Sequence, residues 1–191
     1  MKPGLDERKI LYVTNRKEWR GWLKRHYKSK KDIWLVYYKK HTGKPRISYN
    51  DAVEEALCFG WIDATVKPID AESFAQRFCP RRKNSVLSQT NIERIRLMMK
   101  RRQMTRAGLK AVSHAFDPKT EPTINIKPDV LKAIKSNKIA WRHFQNFPDH
   151  YKRIRLDAIE SSRSLGKAKF KKTLENFIKK TEKNMRYGQF T

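Results

Sequence analysis

Phe74-Ala75-Gln76-Arg77-Phe78-Cys79-Pro80-Arg81-Arg82-Lys83-Asn84-Ser85 changes character twice over a short span. Ser73 to Cys79 reads as a strand, and alternation places Arg77 and Cys79 on one face and Phe78 on the other. Pro80 stops that pattern, three consecutive cations follow, and serines suited to opening a helix come next. A strand that feeds a helix through a basic loop predicts a fold of mixed strands and helices. Backbone N–H donors and guanidinium groups gathered at such a junction can hold an anionic group.

Upstream, Asp32 to Lys40 alternates with both faces apolar: Ile33, Leu35 and Tyr37 on one side, Trp34, Val36 and Tyr38 on the other. This predicts an inner strand covered on both faces. Ile10 to Val13 is a shorter strand candidate, and Asn15 with Glu18 forms a capping box for a helix carrying Trp19, Trp22, Leu23 and His26. Ser48 with Asp51 opens a second helix, with Ala52, Val53, Ala56 and Leu57 as its stripe and Gly60 as its positive-φ terminator. Trp61 to Val66 is a further strand, and Asp70 lies in the connection to the next.

Downstream, Ser88 with Asn91 starts a helix reaching about Arg102 and buried through Ile92, Ile95 and Met99. Thr105 caps a short helix through Ala111 and Val112. Residues 117–127 carry Pro118 and Pro122 with few apolar anchors, which marks a linker. Beyond it, Pro128 suits a helix N-terminus. Four apolar stripes follow, on Val130-Leu131-Ile134, Ala140-Trp141-Phe144, Tyr151-Ile154-Ala158-Ile159 and Phe170-Leu174-Phe177-Ile178. They predict a small antiparallel helical module.

The chain of 191 residues has a formal net charge of +26. Residues 1–120 hold 28 Lys+Arg against 12 Asp+Glu, or +16, and residues 121–191 hold 17 against 7, or +10. The excess is spread over the whole chain and favours encounters with nucleic acid, anionic membrane surface or acidic protein. Two cysteines make no disulfide framework, and five scattered histidines make no zinc motif. Met1 to Glu7 lacks the apolar stretch of a signal peptide and no segment reaches membrane-spanning length, so a cytoplasmic location, extending to the inner-membrane surface, is the expectation.

The candidate ligand-binding set is Tyr38, Lys39, Tyr49, Asp63, Arg77, Arg81, Arg82 and Ser85. Arg77, Arg81, Arg82 and Lys83 form the strongest positive cluster beside ordered backbone, and the bland alternative is a solvated loop balanced by Asp63, Asp70 or Glu72. Asp63 is the one acid on its strand, and a structural Arg77–Asp63 pair weighs as much as a role in proton transfer. Tyr38 and Lys39 end a strand that faces the same cleft in this reading, and Tyr49 closes it. Core packing weighs more for Tyr38. Cys58 sits near a helix carboxyl end, which disfavours a thiolate. No catalytic residue, metal or cofactor is expected.

Glu18-Trp19-Arg20-Gly21-Trp22-Leu23, Trp34-Leu35-Val36-Tyr37-Tyr38-Lys39-Lys40, Ala56-Leu57-Cys58-Phe59-Gly60-Trp61-Ile62-Asp63, Arg77-Phe78-Cys79-Pro80-Arg81 and Met104-Thr105-Arg106-Ala107-Gly108 resemble the YdeI/OmpD-associated family, also labelled bacteriocin-protection proteins. Asp129 to Ile134 resembles the opening of that family's basic carboxy-terminal domain. The chain departs from the family pattern at Ala64, Cys79 and Leu87, where glycine, threonine and tryptophan are usual. The resemblance implies tolerance of antimicrobial peptides or bacteriocins, an association with envelope proteins, and no settled activity or cofactor.

Together these readings give an α+β fold: a compact mixed β-sheet with flanking helices over residues 1–116, a linker at 117–127, and a small basic antiparallel helical module at 128–191. The expected function is non-enzymatic binding of an anionic small molecule or an acidic or envelope partner, in support of stress resistance. Two alternatives stand beside it: an enzyme using the Asp63 and arginine pocket, and weak nonspecific nucleic-acid binding.

Overall fold

The computed structural model describes residues 6–188 and has an α+β architecture, divided into two compact units between Pro118 and Lys119. In the first unit a four-stranded sheet runs in the order β1 (Ile10–Leu11), β2 (Ile33–Tyr38), β4 (Ser73–Pro80), β3 (Trp61–Pro68). β1 is parallel to β2; the other pairings are antiparallel. β2 is an inner strand, and Ile33 through Tyr37 are buried on both its faces.

The helices begin where their caps place them. α1 (Arg16–His26) starts at Asn15, whose side chain accepts from the Glu18 N–H, while Glu18 reaches back to the Thr14 N–H at 2.8 Å. α2 (Tyr49–Cys58) is capped by Ser48, α3 (Gln89–Lys100) by Ser88 and α4 (Arg106–Val112) by Thr105. Each cap satisfies one of the amide donors that a helix start leaves open. α1 and α2 cover one sheet face, where Trp19, Leu23, Leu35, Leu57 and Phe78 are fully buried. On α3 Ile95 and Met98 are buried with Glu93 and Arg94, and Ile92 and Met99 of the expected stripe are partly buried against the same core.

Two glycines fix how α4 meets the end of α2. Gly60 has φ +76 and an added Cβ would lie 2.8 Å from the Ala111 Cβ. Gly108 meets the backbone itself, since a Cβ there would overlap the Cys58 carbonyl group. That carbonyl also accepts from the Thr105 hydroxyl at 2.6 Å and the Thr105 N–H at 3.1 Å.

The second unit holds α5 (Pro128–Ser136), α6 (Lys138–Asn146), α7 (Asp149–Ser161) and α8 (Lys167–Glu182). Val130, Ile134, Phe144, Tyr151, Ile159 and Phe177 form its own core. Ile124 and Ile126 pack against that core, so the last part of the expected linker is anchored to this unit. No helix among the described residues is long and apolar enough to cross a membrane.

Candidate functional site

The loop after β4 is rooted at the corner between α2 and β3, where the Arg81 N–H donates to the Gly60 carbonyl at 2.9 Å. Asn84 takes the left-handed conformation (φ 60), and the Ser85 N–H returns to the Arg82 carbonyl at 3.2 Å. The loop therefore curls around the Arg81 side chain. Its Nη2 donates to the Ser85 carbonyl at 3.2 Å and to the Val86 carbonyl. His114 Nε2 stands 2.9 Å from the same Ser85 oxygen and donates in the tautomer protonated there.

Two polar atoms of this loop are buried without a hydrogen-bond partner among the described residues: Nε of Arg81 and Oγ of Ser85. No carboxylate pairs with Arg81 among the described residues, and burial alone holds its pKa below the ordinary guanidinium value. Several other arginines meet carboxylates instead. Arg16 and Arg20 meet Glu55 at 2.5 and 2.6 Å, Arg77 meets Asp32 at 2.9 Å, and Arg163 meets Asp129 at 2.8 Å. Arg82 and Lys83 are exposed beside the loop. The loop thus combines a half-buried cation, two unanswered polar atoms and two exposed positive heads, which suits the oxygen atoms of a phosphate or carboxylate.

Asp63 does not join this group. Its cross-strand neighbour is Phe78, so it lies on the helix-covered face, where it accepts from the Tyr49 hydroxyl at 2.8 Å. Arg77 is opposite Trp34 and points to the other face, held by Asp32, which also meets Lys9 at 3.1 Å. The expected Arg77–Asp63 pair is therefore replaced by two separate pairs, because adjacent residues of one strand cannot share a face. Burial, then the bond to Asp63, pushes the Tyr49 hydroxyl up to about 12, which keeps it a donor. Buried Tyr37 lies within electrostatic reach of Tyr49, Arg46 and Asp63, and its hydroxyl has no hydrogen-bond partner among the described residues.

Tyr38 and Lys39 belong to the opposite end of β2. Tyr38 packs edge-on to Tyr12 under the Lys44 ammonium, and Lys39 Nζ donates to the Ala71 carbonyl at 2.8 Å, closing the β3–β4 turn. Neither reaches the Arg81 loop by a described hydrogen bond. Of the expected set, the structure gathers Arg81, Arg82 and Ser85 in one loop and pairs Tyr49 with Asp63.

Sequence reasoning missed a buried ion network. Glu54 and Glu55 on α2 are 5% and 1% exposed, and Arg16 bridges both with Asp51 while Arg20 holds Glu55. The available signal was two adjacent acids inside an apolar helix facing arginines spaced four apart on α1. Arg94, 3% exposed, donates to Asn50 at 2.8 Å and Asn91 at 3.1 Å. Burial, followed by Glu55, pushes the Cys58 thiol up to about 11. Among the described residues no group of His, Cys, Asp or Glu side chains is placed to hold a metal ion.

Residues 11–111 match a family model described as a domain of unknown function (DUF8412). No curated protein and no solved structure matches the chain.

Proposed function

The chain belongs to the DUF8412 family, whose matched region contains the entire Arg81 loop, and we propose that this domain binds a small anion bearing phosphate or carboxylate oxygens. The carrying observation is the half-buried Arg81 guanidinium, which has no carboxylate partner among the described residues and an unanswered Nε beside the unanswered Ser85 hydroxyl. A cation removed from water in this way gains from a bound oxygen ligand, and a charge-assisted bond there is stronger than one at an exposed lysine. Arg82 and Lys83 draw the anion toward the loop; Arg81 and Ser85 hold it.

Binding, without chemistry on the ligand, is the reading favoured here. Tyr49 is held protonated by burial and then by its bond to Asp63, and the Cys58 thiol is fully buried with its ionisation suppressed. The resemblance to bacteriocin-protection proteins gives such binding a place in tolerance of antimicrobial peptides.

Thermal shift with inorganic phosphate and with citrate, each at low and raised sodium chloride, tests the proposal. A stabilisation that persists in raised salt, disappears in Arg81→Met and survives in Arg77→Met supports it. Equal loss in both variants, or a shift abolished by salt alone, would show diffuse charge attraction instead.

A further inference from the structure

α8 shows a two-faced division of labour. Phe177 and Thr181 are fully buried, and Phe170, Leu174 and Ile178 pack against the second core. On the opposite side Lys169, Lys172, Asn176, Lys179 and Lys183 are all exposed. Their separations alternate three and four residues, so at 3.6 residues per turn they form one stripe, about 80° wide and about 21 Å long. The helix contains two acids, Glu175 and Glu182, both on the flank of that stripe, and Glu175 faces Lys171 at 3.9 Å. Lys180, on the other flank, lies over the Tyr187 ring at 5.3 Å.

We propose that this stripe is a docking surface for the phosphate backbone of duplex nucleic acid. Charge complementarity selects the partner. A duplex offers a phosphate about every 3.4 Å along each strand, so a stripe of about 21 Å lies alongside roughly six base pairs and brings four ammonium groups to them. No carboxylate lies on the stripe to repel the backbone, and no aromatic or arginine fork lies on it to read a base. Asn176 is the one amide on the stripe, so the contact rests on the four ammonium groups and is largely sequence-independent. A membrane surface fits less well, because interfacial helices bind through an apolar face and that face of α8 is committed to the core. This surface belongs to the second unit, and its reading does not rest on the Arg81 loop.

Fluorescence anisotropy with a short duplex DNA, titrated across a range of salt, tests the proposal on the full chain. The variant Lys169→Gln/Lys172→Gln/Lys179→Gln/Lys183→Gln keeps good helix formers at every position. A control of equal charge, Lys17→Gln/Lys24→Gln/Lys30→Gln/Lys40→Gln, removes four exposed lysines of the first unit. Circular dichroism melting confirms that both variants fold. The α8 variant should flatten the slope of log affinity against log salt by about three to four, while the control changes it by less than about one. Equal effects in the two variants would overturn the proposal. So would unchanged DNA binding in the α8 variant accompanied by lost binding to phosphatidylserine vesicles or to an acidic polypeptide.

Discussion

Arg77 and Asp63 stand on opposite faces of one sheet, each with its own partner: Asp32 for Arg77 at 2.9 Å, Tyr49 for Asp63 at 2.8 Å. The separation follows from register, since Asp63 is paired with Phe78 while Arg77 is paired with Trp34. It makes Arg77 a fastener between β4 and the residue preceding β2. The anion-binding role we propose then falls to Arg81, just beyond the strand end.

Asp32→Asn should destabilise the fold by about 1–2 kcal/mol at neutral pH, the range for a charge-assisted bond discounted for its partly exposed partners. Burial alone would raise the Asp32 pKa, but hydrogen bonds from Lys9 and Arg77 outweigh it and lower the value. A carboxylate with a depressed folded pKa stabilises above its unfolded value, near about 4, and loses that contribution as pH falls through the folded value. Urea melts of wild type and Asp32→Asn should therefore differ at neutral pH and converge once the pH has fallen through the folded value.

Gly21→Ala and Gly108→Ala should change stability in opposite directions. Gly21 lies inside α1 and an added Cβ meets nothing within 4 Å. Alanine there should stabilise by about 0.5–1 kcal/mol. At Gly108 the new methyl would strike the Cys58 backbone, which cannot rotate away, and the expected loss is about 2 kcal/mol or more. Thermal unfolding of the two variants checks both signs.

Glu55→Gln should cost about 2–4 kcal/mol, because it removes a carboxylate 1% exposed and leaves Arg16 and Arg20 short of their shared partner. Glu175→Gln on the surface of α8 should move the midpoint by less than about 0.5 kcal/mol. Chemical denaturation of both variants separates a structural ion network from a solvated pair.

Native protein should react with a thiol reagent at Cys79 and not at Cys58. Cys58 is fully buried with its thiol pushed up to about 11, whereas Cys79 is half-exposed on β4. A folded-state pKa raised above the unfolded value near about 8.5 also predicts a stability contribution that is complete below that pH and declines as pH rises toward about 11. Reagent titration before and after denaturation should count one thiol, then two.

Much of the fold was legible because its signals are local. The Asn15, Ser48, Ser88 and Thr105 caps, the Gly60 terminator and the two-sided β2 strand each rest on a few neighbouring residues. What depended on long-range register was not legible. Strand alternation alone predicted that Arg77 and Phe78 face apart, but not that Asp63 would pair with Phe78 and so share its face. The buried Glu54, Glu55 and Arg94 were hidden for a related reason: their charges are answered from other elements, by Arg16 and Arg20 on α1 and by Asn50 on α2. Within the candidate site, the run of cations marked the loop that gathers Arg81, Arg82 and Ser85. The reversal at Asn84 shapes the loop around Arg81; asparagine's tolerance of the left-handed conformation marks the turn in the sequence, but not which cation it encloses.

Amide chemical shifts recorded while inorganic phosphate is added, at constant ionic strength, test the anion site most directly. Saturable shifts concentrated at residues 81–86 and His114, lost in Arg81→Met, are the expected result. Weak, non-saturating shifts scattered over exposed lysines throughout the chain, unchanged by Arg81→Met, would contradict it.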